Sequence, residues 1–237
     1  MKLYKKLLTV SLFVSALSVG CKKLDTIIEN PNSVDPSQAN VDLLLNGVQA
    51  NFVSVFNNLS DFGQEVTRQQ AMTGGPLYNN AYSPTSFDGT WTNAYTGVIK
   101  NANAVIPLAL QQKKYLQAGI AQVFKAYVLG SMVDFFGDVP DKDAALGQDN
   151  LNPKADAGAE VYKTVFTLLD SAISNFSKTG GSAGPPNDLF YQSSTSKWRT
   201  AAKTLKLKFL MQTSLVDNTV TAKIQSLITE NDFIKVD

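Results

Sequence analysis

From residue 41 onward, apolar side chains return every three or four positions. Val41, Leu44, Leu45, Val48, Phe52, Val55, Phe56 and Leu59 form the first series, the spacing of one buried helix face. A second helical piece is expected over residues 62–72. Turn formers fill 73–86, TGGPLYNNAYSPTS, and predict a loop there. Trp91, Tyr95, Val98, Ile99, Ala102 and Val105 mark the next helix, and Ile120, Val123, Phe124, Tyr127 and Ser131 the one after. Gly137 can cap that helix in a left-handed conformation, and Pro140 forbids its continuation. A polar loop over 138–158 leads to a helix ending near Phe176, stopped by Thr179-Gly180-Gly181 and Pro185-Pro186. Residues 198–212 and 220–230 predict the last two. No strand-like alternation competes with these segments. The expectation is an all-α fold of seven helices, a tetratricopeptide-like stack of helical hairpins with long connecting loops. A strict tetratricopeptide consensus is not visible.

The first residues follow another pattern. In MKLYKKLLTVSLFVSALSVGC, three lysines precede an apolar run over 7–19, as in a secretory signal peptide. The run is shorter than the roughly 20 residues that span a bilayer. Cys21 follows Gly20 and is the chain's single cysteine, so an internal disulfide is excluded and a lipid-carrying thiol competes with a chance free one. Ser18 stands three places before it, where a lipoprotein cleavage box usually has an aliphatic residue; Leu17 lies one step earlier. The expected organisation is a signal peptide over 1–20, a flexible tether after a lipidated Cys21 over 21–40, and a helical domain over 41–237.

Charge narrows the function. The whole chain has 21 basic and 20 acidic side chains. Residues 1–20 hold three of the lysines and no acid, so their removal leaves 18 basic groups against 20. Such a balance has no electrostatic footprint for nucleic acid. Histidine is absent, which removes Ser-His-Asp and Cys-His catalysis and histidine metal sites together. Asp134 and Asp138 flank an aromatic-glycine turn and suggest a glycosidase-like pair, but a turn acceptor and a helix-end acid explain them more simply. Asp138, Asp141, Asp143, Asp149 and Asn150 suggest calcium, yet the alternating acids, central glycine and terminal glutamate of a calcium loop are missing. No catalytic residue, metal or cofactor is therefore assigned. Trp91, Tyr95 and Trp198 lie on apolar helical faces and are assigned to the core, and Asn103 to a bond with backbone or a neighbouring helix. Tyr78, Asn79, Asn80 and Tyr82 differ, because no helical face requires them in their loop. Aromatic rings cover the C–H faces of sugars and amides take their hydroxyls.

The segment AQVFKAYVLGSMVDFFGDVP, residues 121–140, resembles the helix and "FGDVP" turn of SusD/RagB-like nutrient-binding outer-membrane lipoproteins. Further likenesses follow in order: ENPNSV beside LLLNGVQA, WTNAYTGVIKNANAVI with Trp91, Tyr95, Ile99 and Asn103, VYKTVFTLLDSAISNF, and KWRTAAKTLKLKFLMQ with Trp198, Leu205 and Leu207. The resemblance implies a cell-surface protein held on the exterior of the outer membrane by lipid on Cys21. It would bind an oligosaccharide or other nutrient, with the 73–86 loop in the site, and deliver it to a SusC-like TonB-dependent transporter without making or breaking a bond. Such proteins continue well past the matched part, so the helical domain is expected to be incomplete at its C-terminus. Two rivals stand beside this reading. One is a helical-repeat scaffold for protein partners. The other is a glycan-cleaving enzyme, which requires two carboxylates facing one cleft about 5–9.5 Å apart.

Overall fold

Asn40 opens the first helix by accepting the backbone N–H groups of Asp42 and Leu43 on its side-chain oxygen, at 2.9 and 3.3 Å, so two of the four donors left orphaned at a helix start are satisfied. The computed structural model describes residues 40–72, 82–179, 184–185 and 187–235. The helix that follows, α1 (Val41–Val66), is longer than its apolar series predicted. Of the separate piece expected over 62–72, residues 62–66 are the continuation of α1 and 67–72 are not helical: Asn57 bonds Asp61 one turn on at 3.2 Å, and no breaker stands between them. Thr67 then closes the helix with its N–H on the carbonyls of Gly63 and Glu65.

A second rod consists of α2 (Asp88–Thr92), a π-helical stretch (Asn93–Ile99) and α3 (Lys100–Gln111). It is followed by α4 (Tyr115–Phe136), α5 (Gly158–Phe176), α6 (Thr195–Thr213) and α7 (Thr221–Glu230). Among the described residues there is no strand, and extended backbone pairs in one isolated bridge, Val139 with Asp156. Each rod from α3 to α7 packs on the next, which gives the predicted stack of helical hairpins, and α1 lies across the second rod and α4.

The centre of the stack is α4. The spacing predicted one buried face, but from Leu116 to Met132 only Lys125 and Tyr127 escape full burial. Small residues explain the difference: Ala118, Gly119, Ala121, Ala126 and Gly130 leave room for neighbours on every side. A Cβ on Gly119 would lie 2.4 Å from the ring of Phe176 in α5, and one on Gly130 would lie 2.4 Å from the ring of Phe209 in α6. Two phenylalanines from successive helices therefore enter notches that only glycine leaves open. The helix ends at Gly137 as expected, but with φ 79° and ψ −120° the glycine lies outside the left-handed helical region, in a conformation that a residue with a Cβ rarely adopts.

Candidate functional site

The turn after α4 is a fastening point. Asp138 accepts the N–H of Gly158 at 2.9 Å, which ties the end of α4 to the start of α5 across twenty residues of chain rather than within the turn. Val139 and Asp156 exchange both backbone hydrogen bonds, and the Tyr95 hydroxyl donates to the Pro140 carbonyl at 2.8 Å. Asp156 also accepts the N–H groups of Asp141 and Lys142, at 2.9 and 3.0 Å; these bonds hold its carboxyl below the usual aspartate range. Burial first, and the nearby carboxylates of Asp141 and Asp156 second, push the Tyr95 phenol well above its ordinary value. It remains a neutral donor.

The acids of this region have structural partners. Asp134 accepts the hydroxyl of Tyr162 and pairs with Lys208 of α6 at 3.2 Å. Asp141 accepts the Thr164 hydroxyl at 2.6 Å. Asp134 and Asp138 do line one cleft, of about 750 Å³, between the start of α5 and the turn before α7, but each has an oxygen committed to holding helices together. Among the described residues no group of three or more acidic, histidine or cysteine side chains could hold a metal ion. Asn103, as expected, serves a neighbouring helix: it accepts Lys125 of α4 at 2.8 Å. Burial lowers the pKa of that lysine.

Of the predicted nutrient-site residues, Tyr82 is described, whereas Tyr78, Asn79 and Asn80, like Cys21, lie outside the described residues. Tyr82 is anchored at the foot of its loop. Its hydroxyl donates to Glu65 near the end of α1, and its ring meets Phe62 edge-on at 5.2 Å and Phe87 at 5.7 Å. Phe87 continues the row to Phe136, and Trp91 joins it from the second rod with its ring stacked on Tyr95 at 5.4 Å. Both Trp91 and Tyr95 pack against the core from a half-buried position, and Trp198 is fully buried. Tyr82 therefore sits in an aromatic corner formed with Phe62 and Phe87.

A second feature escaped the sequence reading. Phe52, Phe56, Tyr127, Phe190, Tyr191 and Trp198 line an almost wholly apolar groove of about 680 Å³ between α1, α4 and α6. Phe56, expected on the buried face of α1, is 48% exposed in it. Phe190 and Tyr191 belong to the loop before α6, which Gln49 of α1 clamps by donating to the Asn187 carbonyl at 3.1 Å and accepting the Leu189 N–H at 2.9 Å. Asp188 completes the clamp, taking the Trp198 indole N–H and the Ser193 N–H, both at 2.7 Å. Two aromatics placed just before Trp198 were the available signal, but nothing in their spacing assigns them to a helical face.

Residues 31–235 match the model of a SusD-like family described as starch-binding and associating with the outer membrane. The chain belongs to this SusD-like family. Solved structures agree on the fold. A SusD/RagB family protein from Bacteroides thetaiotaomicron superposes with a TM-score of 0.71 at 21% identity, covering 83% of this chain and 43% of its own. A chitin-binding protein gives 0.53 at 27% identity over 62% of this chain and 31% of its own. A SusD homolog from Bacteroides fragilis gives 0.50 at 26% identity over 60% and 30%. The chain thus spans less than half the length of each of these structures. No curated protein matches its sequence. Among the described residues no helix is long and apolar enough to cross a membrane.

Proposed function

We propose that this SusD-like chain captures a glycan at the outer-membrane surface and passes it to a SusC-like TonB-dependent transporter, acting by binding and release with no catalytic step. The observation that carries the reading is the family match over residues 31–235. The chitin-binding protein among its structural relatives extends the candidate ligands from starch to other polymers. The recognition surface is proposed on the 73–86 loop, with Tyr78 and Tyr82 as ring platforms and Asn79 and Asn80 as partners for sugar hydroxyls. The anchoring of Tyr82 supports this role, since a ring fixed before the ligand arrives loses little freedom on binding. The chain is proposed to be held at the membrane by lipid on Cys21, with 1–20 removed as a signal peptide and 21–40 as the tether.

Calorimetric titration with maltooligosaccharides and chitooligosaccharides tests the site. Tyr78→Ala is expected to weaken the glycan that binds about 2- to 12-fold, the equivalent of one ring contact, with an unchanged helical melt. Tyr82→Phe should retain binding, because the ring stays while its bond to Glu65 is lost. Affinity in the double Tyr78→Ala, Tyr82→Ala variant equal to that of the unsubstituted chain would move the site elsewhere. Cys21→Ala should leave the precursor uncut or release the protein from membranes; a processed variant that stays membrane-bound would refute the anchor.

A further inference from the structure

A further cavity, of about 440 Å³, lies where the end of α3 meets α4 and α5. Ser171, Ser174 and Asn175 of α5 line it together with Lys178, at positions i, i+3, i+4 and i+7, the spacing of one helical face carried just past the helix end. Gln122 of α4 stands opposite, and Leu110 of α3 supplies an apolar side.

Chemistry fixes which way the amides point. A lysine ammonium can only donate, so Lys178 Nζ, 2.8 Å from the Asn175 side chain, meets its oxygen. The Asn175 NH2 group is then turned to Gln122 and donates to the oxygen there at 2.9 Å. The NH2 group of Gln122 is consequently left for the cavity, with no acceptor among the described residues. Gln122 and Asn175 are 5% and 4% exposed, so the relay holds this donor in one orientation. A donor on so deeply buried a side chain is costly to leave without a partner.

Charge points the same way. Lys178 rests on Asn175 and over the Tyr115 ring, 4.7 Å from its centroid, and neither is an anion. Asp170, the carboxylate at the cavity, is already paired with Lys206 of α6. The hydroxyls of Ser171 and Ser174 are not used elsewhere among the described residues. We propose that this cavity binds a hydroxylated monocarboxylate of monosaccharide size, its carboxylate held by Gln122 and Lys178 and its hydroxyls by Ser171 and Ser174. A neutral sugar would leave the ammonium without a counter-ion, and sulfate or phosphate carries more acceptor oxygens and charge than one ammonium and one amide satisfy. The site uses none of the 73–86 loop and stands independently of which glycan binds there.

Calorimetric titration of the full chain with D-glucuronate and D-gluconate tests the site, with D-glucose and sulfate as controls. One saturable site is expected for the acids and none for glucose. Lys178→Met removes an exposed cation and should weaken the acids about 10-fold or more. Gln122→Glu keeps the oxygen that Asn175 needs but turns the cavity donor into an acceptor, and should weaken them at least as much with the far-UV circular dichroism unchanged. If that variant does not fold, Lys178→Met decides together with Ser171→Ala, which should cost the hydroxylated acids affinity while leaving that for acetate unchanged. Saturation by neither acid, undiminished binding in Lys178→Met, equal affinity for glucose, or displacement by equimolar sulfate would overturn the proposal. So would displacement of the acid by a glycan bound at the 73–86 loop, which would place the acid there.

Discussion

Helix α4 is buried on all sides from Leu116 to Met132, apart from Lys125 and Tyr127, whereas α7 has no fully buried residue. The two regions are held by different forces. Around α4 the contacts are dispersion and burial, sharpened by the glycine notches that admit Phe176 and Phe209. At the α6–α7 edge they are charges. Helix α6 carries Lys197, Arg199, Lys203, Lys206 and Lys208 and no acid, and two of those cations reach the end of α7, Arg199 to Asp232 and Lys203 to Glu230 and Asp232, while Lys206 and Lys208 turn to Asp170 of α5 and Asp134 of α4. A core held by burial should respond little to moderate salt and to pH, and an edge held by partly exposed ion pairs should respond more. The stack is therefore expected to loosen from the α6–α7 edge inward.

The largest effect should come from the notch where the two regions meet. Phe209→Ala deletes a fully buried ring that packs on α4 and on Tyr162 and should cost about 3–5 kcal/mol in chemical denaturation. Gly130→Ala places a Cβ 2.4 Å from that ring and should cost about 1–3 kcal/mol by overpacking. In the double variant the added methyl occupies space the ring has left, so its loss should be clearly smaller than the sum. Simple additivity would show that the notch is not a shared packing site.

A smaller loss is expected from Tyr162→Phe, which removes the hydroxyl donated to Asp134 where α5 and α6 meet the end of α4. A partly buried carboxylate that loses one hydrogen bond while keeping its lysine should cost about 0.5–1.5 kcal/mol. Burial and the bond to Asp134 push the Tyr162 phenol far above its ordinary value, so it donates throughout the neutral range. The loss measured by thermal denaturation should be the same at mildly acidic and mildly alkaline pH. A loss that varied across this range would mean that another group carries the contact.

The contrast between centre and edge was only half legible in the sequence. Helical periodicity located the rods because it reports which residues share a face, and the FFGDVP turn was read correctly as an abrupt stop. It could not report that α4 is buried on every face, since the evidence for that is the size of its small residues relative to rings that arrive from Phe176 and Phe209. Nor could it assign Phe56 to an open groove, because a groove and a core present the same apolar spacing. The clamp between Gln49 and Leu189 joins residues 140 apart, and Asp138 finds Gly158 twenty residues on; no local pattern encodes such pairings. For the proposed nutrient site, ring and amide chemistry on a loop pointed to Tyr78, Asn79, Asn80 and Tyr82, of which Tyr82 packs in an aromatic corner. Side-chain type alone could not distinguish that anchoring from exposure.

The smallest effect, and the sharpest test of the comparison, concerns the charges that close the edge. Asp232 is held below the ordinary aspartate value of 3.8 by the Thr200 hydroxyl and by Lys203, and Lys203 is held above the ordinary lysine value of 10.5 by Glu230 and Asp232. The directions agree with one ion pair seen from both sides. A depressed carboxyl contributes stability that is complete above its unfolded pKa and is lost as the pH falls through the folded one. A raised ammonium contributes stability that is complete below its unfolded pKa and is lost as the pH rises through the folded one. The edge should therefore be constant through the neutral range, weaken below about pH 3.8, and weaken again above about pH 10.5. Lys203→Met should cost about 0.2–1 kcal/mol, and this loss should shrink in 1 M salt, where the screening length is about 3 Å. Amide hydrogen exchange read by mass spectrometry separates the regions: in the variant the α7 amides should exchange faster while those of α4 stay protected. Equal acceleration in both helices would show that edge and centre open as one unit, and the division between a charge-held edge and a burial-held core would fail.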